Sequence, residues 1–152
     1  MEGASGREAF YQKGSCQACH AVGMGGGRLG PDLTAVGARL SLDHMRESLI
    51  EPSKQIPYSH RTVRATRRDG RAYEGVLLNE DGYTVHLMDR QENIHSLSKT
   101  DLQKVGHPQQ SLMPAYNDLL GPKDTDDLLA HLYSLTGLKG LTASGEKDDQ
   151  TP

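Results

Sequence analysis

The sequence contains no Trp, one Phe and only two Cys among its 152 residues, and 35 % of the residues are hydrophobic. A chain of this length can bury a core without covalent crosslinks, so its size does not require a disulfide framework. The small apolar supply suits a domain whose core is partly filled by something other than side chains, such as a large apolar cofactor.

Long apolar runs and clusters of charge of one sign are also missing. No run approaches the roughly 20 apolar residues that cross a bilayer, and the N-terminal stretch MEGASGREAF has no apolar signal-peptide core. The net charge is -3 and the basic residues are spread along the chain, so neither nucleic acid nor a membrane surface is a favoured partner. We expect a cytosolic protein, or a mature or trimmed form with an added start methionine.

Two helices are predicted in the first third of the chain. The first runs from Ser5, its N-cap, to Lys13, where a glycine follows. The second begins after Ser41 as the cap and ends at Pro52, and four apolar residues fall on one face of it: Leu42, Met45, Leu49 and Ile50. Residues 23–31, GMGGGRLGP, are too rich in glycine for a helix or a strand and predict a tightly bent loop.

Over residues 59–105 the hydrophobic period changes to two. Short alternating runs are separated by RRDG, NEDG and DRQEN, which predicts an antiparallel meander of about four strands. Helical periodicity returns in a last helix, which starts at Pro122 and ends before Gly137. We therefore predict one mainly α domain over residues 4–138 with an inserted small antiparallel sheet, α+β overall, and a disordered tail over 139–152.

Both cysteines lie in the stretch GSCQACHAVG. Cys16, Cys19 and His20 form Cys-x-x-Cys-His, the attachment pattern of c-type haem. On one helical turn the side chains at i and i+3 point the same way, so two thiols can reach the two vinyl groups along one porphyrin edge as thioethers. The next residue then brings its imidazole under the iron as the proximal ligand. The motif predicts one covalently attached haem c per chain.

Three other interpretations of the cysteines stay open. A thioredoxin-like redox pair needs the motif between a strand and a longer helix of a parallel βαβ unit, whereas the segment before Cys16 is predicted to be helical. Structural zinc needs four ligands; the chain has no second Cys pair, although its other histidines could contribute. The third interpretation is a chance occurrence of the motif with a simple disulfide.

An electron-carrying haem iron needs a second axial ligand. Met113, in SLMPAY, is the candidate, because it lies in a predicted loop, is followed by proline and precedes the last helix. Met45 and Met88 fit packing positions, and Met24 follows the proximal histidine too closely to cross to the opposite haem face. Six histidines are weaker alternatives as ligands: His44, His60, His86, His95, His107 and His131.

Together these motifs resemble a class I c-type cytochrome. The resemblance rests on GREAF in the first helix, CQACH, GRLGPDL, LMPAY and DLLAHLYSL, and covers most of residues 4–56 and 106–138. It implies a haem held in a crevice by crossed N- and C-terminal helices, with Gly6 permitting their close approach and Phe10 and Tyr133 at the crossing.

The resemblance implies further contacts around the haem. The carbonyl of Pro31 would accept the second imidazole proton of His20 and so orient the ring. Arg39 and Tyr58 are candidate donors to the haem propionates, because a buried carboxylate needs a donor nearby.

The insertion departs from an ordinary cytochrome c. Chains with DG…GVLLNEDGYTVHLMD before the methionine loop are similar to haem-binding domains appended to large membrane-associated or secreted dehydrogenases. The expected fold is accordingly a mainly α cytochrome c fold with a β insertion. Three roles for the insertion stay open: to shield the haem, to brace the methionine loop, or to dock a partner.

The predicted function is one-electron transfer, without enzymatic activity, by haem c with His20 and Met113 as axial ligands. The expected partner is a redox protein: a dehydrogenase, an oxidase or another cytochrome. The alternative is a haem-based gas sensor or ligand-binding protein with a displaceable Met113, to which the glycine-rich GMGGG could lend mobility. Peroxide reduction also needs an open iron, but no distal acid–base pair is evident. The resemblance implies haem attachment outside the cytoplasm, hence a periplasmic or exported protein.

Overall fold

The computed structural model describes residues 2–137. Within them, helices from both ends of the chain surround one core, and an antiparallel sheet lies between the third and the last helix in sequence. The chain is therefore α+β, as predicted. The tail predicted to be disordered, 139–152, lies outside the described residues.

The first and last helices cross at a close contact. Helix α1 spans Glu2–Glu8 and continues as a π-helical turn, Ala9–Lys13, while the last helix, α4, spans Pro122–Ser134 with proline at its start as predicted. A Cβ on Gly6 would lie 2.3 Å from the carbonyl oxygen of Asp127, so only glycine lets the two backbones approach this far.

Two expectations about these helices are wrong. Ser5 is an internal residue of α1 rather than its N-cap, because the residues before it already form helix. Tyr133 is 52 % exposed, and the ring that meets the buried Phe10 is that of His131, with 5.8 Å between ring centroids. Two positions along a helix turn a side chain by about 200°, which carries Tyr133 away from the face that holds His131.

Two short helices follow the haem motif in sequence. Helix α2 spans Val36–Arg39, and α3 spans Leu42–Ile50. The predicted cap is present, since the Ser41 hydroxyl accepts a hydrogen bond from the His44 amide at 3.2 Å. The apolar face of α3 is narrower than predicted: Met45 and Leu49 are buried, whereas Leu42 and Ile50, its first and last residues, are 45 % and 40 % exposed.

Part of the glycine-rich segment forms a small hairpin rather than an irregular loop. Strands β1 (Ala21–Val22) and β2 (Gly25–Gly26) pair antiparallel. Gly26 has a φ of 108°, and a Cβ there would lie 2.2 Å from the carbonyl oxygen of His20. The glycines therefore allow this segment to fold back onto the Cys-x-x-Cys-His turn.

The insertion contains five strands, one more than predicted: β3 (Thr62–Arg67), β4 (Ala72–Glu80), β5 (Thr84–Met88), β6 (Ile94–Ser98) and β7 (Leu102–Gly106). Their order in the antiparallel sheet is β6-β5-β4-β3-β7, because β7 returns to pair with β3 after a single 3₁₀ turn. Strand β7 has only Leu102 fully buried, so no clear alternation marks it in the sequence. We call residues 62–106 the β module, and residues 2–61 with 107–137 the helical part.

The β module buries both faces of its sheet. One face forms a core of its own, made of Val63, Ala65, Leu77, Val85, Leu87, Leu97 and Leu102. On the other face Val76 and Met88, paired across β4 and β5, pack with Leu29, and Cys19 and Leu112 lie against them. The second face thus packs on the helical part beside the haem motif. Within the described residues, no helix is long and apolar enough to span a membrane.

Candidate haem-binding site

The Cys-x-x-Cys-His segment forms a single tight turn. Ser15, with a φ of 49°, reverses the chain, and Cys16–Ala18 then form one 3₁₀ turn. The amides of Cys19 and His20 both donate to the carbonyl of Cys16, at 3.1 and 2.9 Å. Cys16 is buried in the core of the helical part, while Cys19, just after the turn, packs against the cluster of Leu29, Val76 and Met88.

Both thiols are free, and neither has the character of a redox-active cysteine. Burial raises the pKa of Cys16 to about 11 and also raises the pKa of Cys19. A thioredoxin-like pair works through a thiolate with a lowered pKa, and it sits in a parallel βαβ unit, whereas the strand pairs in residues 2–137 are antiparallel. In the same residues no group of three or more His, Cys, Asp or Glu is arranged to hold a metal ion.

The imidazole of His20 is held by one hydrogen bond and one close contact. Its Nδ1 donates to the carbonyl oxygen of Pro31 at 2.7 Å, the contact that the resemblance implies. Burial lowers the pKa of His20, which favours the neutral ring. With Nδ1–H engaged, the lone pair of Nε2 is available to a metal, as in ligating histidines whose other nitrogen is fixed by an acceptor.

Gly30 provides the close contact and was not singled out from the sequence. A Cβ on Gly30 would lie 2.5 Å from Cε1 of His20, so any side chain would displace the ring. Its amide donates to the carbonyl of Cys19 at 2.7 Å, and the amide of Gly27 donates to that of Gln17 at 2.8 Å. The glycine-rich segment is therefore bonded to the motif turn.

Met113 lies half-buried in the loop before α4. It packs against the core cluster that contains Cys16, and it lines a cavity of about 700 Å3 together with Ile50, Pro52 and Arg90. The other internal methionines lie as expected for packing or surface residues, since Met45 and Met88 are buried and Met24 is fully exposed.

Tyr116 connects the methionine loop to the cysteine turn, and sequence reasoning missed it. Its hydroxyl donates to the carbonyl of Gly14 at 2.9 Å, and its amide donates to the carbonyl of Leu49 at 2.8 Å. Burial raises its pKa to about 12, with a further contribution from the Cys16 and Cys19 thiols. The only sign of this role of Tyr116 in the sequence was its position in LMPAY.

The two candidate propionate donors differ in their surroundings. Arg39 donates to the carbonyl of Asp32 at 2.7 Å and lines a groove of about 350 Å3 with Pro31 and His60. Tyr58 is 80 % exposed, and the guanidinium of Arg61 lies 3.8 Å from its ring centroid. The structure brings Arg39, but not Tyr58, to the groove beside Pro31.

The histidine nearest to Met113 in sequence has a partner in the β module. Nε2 of His107 lies 2.5 Å from Oε2 of Glu80, and the other carboxylate oxygen, Oε1, lies 2.9 Å from Nζ of Lys99. One ring nitrogen of His107, which lies at the start of the methionine loop, is therefore already bonded to Glu80.

These groups fit a covalently bound haem. Two free thiols lie three residues apart around one tight turn, the adjacent imidazole has its Nδ1 fixed, and the absence of a side chain at Gly30 makes room for the ring. They define a c-type haem protein.

Comparison with known families agrees. The model of the cytochrome c family matches residues 4–84, slightly more than half of the chain. The chain therefore belongs to the cytochrome c family, whose domains carry electrons between redox partners by means of haem c, generally attached covalently. The matched region contains the Cys-x-x-Cys-His motif and ends at the start of β5, so the methionine loop and α4 lie outside it. No curated protein matches the chain.

Proposed function

We propose that this cytochrome c carries single electrons with one haem c, attached through Cys16 and Cys19 and ligated by His20 and Met113. The observation that carries the proposal is the His20 ring, held between the Pro31 carbonyl and Gly30 with Nε2 available, next to two free thiols on one turn. When bound, haem supplies a one-electron couple between ferrous and ferric iron.

The residues of the chain would tune this couple in two ways. The hydrogen bond from His20 to the Pro31 carbonyl makes the imidazole more electron-donating and fixes its orientation. A methionine thioether is a weak donor that favours reduced iron and so raises the potential. Among the internal methionines, Met113 suits the role of thioether ligand best. Within the described chain it is the one that is neither fully exposed nor fully buried.

Anchoring of the methionine loop favours a carrier over a gas sensor. The amide of Met113 donates to the Ser111 hydroxyl at 3.1 Å, and Tyr116 joins the loop to Leu49 and Gly14. A carrier benefits from ligands that stay in place in both oxidation states. A sensor would instead require a ligand that leaves readily.

We further propose that the chain works as a periplasmic or exported protein that exchanges electrons with a redox partner such as a dehydrogenase. The support is its membership of the cytochrome c family, whose domains pass electrons to redox partners. The choice of a dehydrogenase follows the resemblance noted in the sequence of the insertion. Stopped-flow reduction by candidate dehydrogenases would identify the partner, and fractionation of the native host would give the compartment.

The test of the ligands uses protein matured with haem. We expect the mass of one haem added to the chain, the weak long-wavelength absorption band of sulfur-ligated ferric haem, and resistance of the reduced form to carbon monoxide. Met113→Ala should abolish the band and admit carbon monoxide, whereas Met24→Ala, at a fully exposed methionine, should change neither. A wild-type protein that takes up carbon monoxide rapidly would support the sensor instead.

A further inference from the structure

We propose that the β module clamps the methionine loop and thereby determines how often Met113 leaves the iron. The module does this by hydrogen-bonding Gln110 and Leu112, which flank Ser111 just ahead of Met113. The inference rests on the proposed ligation by Met113, and it gives the insertion a role in the electron-transfer site.

Three side chains of the module reach the loop. Oγ1 of Thr62 donates to the carbonyl of Gln110 at 2.6 Å, and Arg64 donates to the Gln110 side chain at 2.9 Å. Nη1 of Arg90, just after β5, donates to the carbonyl of Leu112 at 3.2 Å. Through these bonds the module restrains the backbone carbonyls of Gln110 and Leu112.

The helical part bonds the same segment at Ser111, which lies between the two residues that the module bonds. Oγ of Ser53 accepts from the amide of Ser111 at 3.0 Å, and the Ser111 hydroxyl accepts from the amide of Met113. The loop is therefore bonded from two sides, by the module at Gln110 and Leu112 and by the helical part at Ser111. If the module bonds are removed, one side of this arrangement is lost while the core of the helical part is untouched.

Thr62 should contribute most. It is 2 % exposed and is the one polar residue among the described residues to be classed as buried. Losing its hydroxyl removes the one bond to the loop whose donor is shielded from water, so solvent weakens this bond less than those of the arginines. Arg64 and Arg90 are 50 % and 52 % exposed, so solvent weakens their contributions.

The two arginines also share a partner. Glu74 accepts from both, and the hydrogen bond from Arg64 is the main reason that the pKa of Glu74 lies below its usual range. The carboxylate keeps both guanidinium groups on the sheet face that meets the loop, because Thr62, Arg64 and Glu74 lie on the same face.

The consequence is measurable as competition by an added ligand. An external ligand binds only the fraction of molecules in which Met113 is off the iron, so its apparent Kd varies inversely with that fraction. Loss of one partly buried hydrogen bond changes such an equilibrium about tenfold. Imidazole is a suitable probe above about pH 8, where the ring is mostly neutral, so a change of protein charge has little direct effect on its binding.

The experiment compares two threonines of strand β3 in the ferric holoprotein. Thr62→Val should lower the apparent Kd for imidazole about tenfold. Thr66→Val is the matched control, four residues further on the same face of the same strand, and should leave the Kd unchanged. Arg90→Gln should lower the Kd about twofold to threefold, and Arg71→Gln, whose arginine pairs with Asp69 in the β3–β4 turn, should not.

The outcomes separate this inference from the proposed ligation. If imidazole binds the wild type as tightly as Met113→Ala, Met113 is not a ligand and the proposed function fails. If Met113→Ala binds imidazole more tightly but Thr62→Val behaves like Thr66→Val, the ligation stands and the clamp is overturned. If Thr62→Val does not fold, Arg90→Gln decides, because its exposed side chain is not needed for the core: an unchanged Kd there overturns the clamp.

Discussion

The helical part and the β module use their small supply of apolar residues in opposite ways. The module closes a core of aliphatic side chains, in which Val63, Val85 and Leu87 are fully buried. The core of the helical part includes Cys16, with Met113 and Tyr116 packed against it, so chemically reactive groups occupy positions that aliphatic residues hold in the module. The core of the module should therefore stay folded without haem, whereas the helical part should depend on its cofactor.

The largest expected effect comes from replacing both cysteines with serine. Without covalent haem, the helical part should lose its slow hydrogen exchange while the amides of β3, β4 and β5 stay protected, because ligand binding stabilises only the part that binds. Hydrogen–deuterium exchange followed by mass spectrometry would measure this, with haem-loaded wild type as the reference. Loss of protection in both parts to the same extent would contradict the comparison.

Leu87→Ala should have the opposite effect: it should destabilise the β module and leave the helical part folded. Leu87 is fully buried in the module core, so its truncation should cost about 2–5 kcal/mol in the free energy of unfolding of the module. The slow hydrogen exchange of α1 and α4 should persist at denaturant concentrations where that of the sheet has gone, while the long-wavelength haem band weakens as the module releases the methionine loop. Ile94→Ala, at a residue of the same sheet that is 63 % exposed, should shift the unfolding free energy by no more than about 0.5 kcal/mol.

Gly30→Ala should disturb the helical part alone. The added Cβ would lie 2.5 Å from the His20 ring, and we expect a cost of about 1–3 kcal/mol together with an altered spectrum of the oxidised protein. Gly25→Ala is the matched control in the same glycine-rich segment, since no atom lies within 4 Å of its Cβ position. Equal spectra for the two variants would show that the ring is not held as the structure implies.

The smallest effect should be a pH dependence confined to the module. The hydrogen bond from His95 is the main cause that lowers the pKa of Asp89 to about 2. Because the folded pKa lies below the unfolded one, the carboxylate stabilises the module above about pH 4, and this stabilisation is lost as the pH falls towards 2.

Urea unfolding of wild type and Asp89→Asn would test this pH dependence. The variant should be less stable at pH 6 and equal to wild type near pH 2, with an unchanged haem spectrum at pH 6. A stability difference that persists undiminished at pH 2 would assign the effect to packing rather than to charge.

Local signals in the sequence predicted much of the helical part. Ser41 and Pro122 mark helix starts because capping and the fixed φ of proline act within a few residues. The sheet was predicted from its turns, yet strand β7 was missed, because its pairing with β3 connects residues far apart in sequence and leaves a weak alternation. Tyr133 was misplaced for a related reason: a helical pattern does not say which side faces the crossing.

Some residues of the candidate site could likewise be predicted from the sequence, and others could not. The Cys-x-x-Cys-His motif needs only one turn of chain to place its three groups, so spacing alone predicts a haem. Gly30 and Tyr116 lie in the stretches GRLGPDL and LMPAY, and Thr62 in none, but what each of the three contacts follows only from the atoms that the fold brings against it. The region that matches the family model, residues 4–84, likewise contains the motif but not Met113.

The sequence by itself determined that this protein holds haem, because the thiols and the imidazole are neighbours along the chain and their chemistry does not depend on distant residues. Only the tertiary structure decided how the methionine loop is held. Its bonds join Thr62 to Gln110 and Arg90 to Leu112, pairs that are separated along the chain and meet only when the sheet packs on the helices.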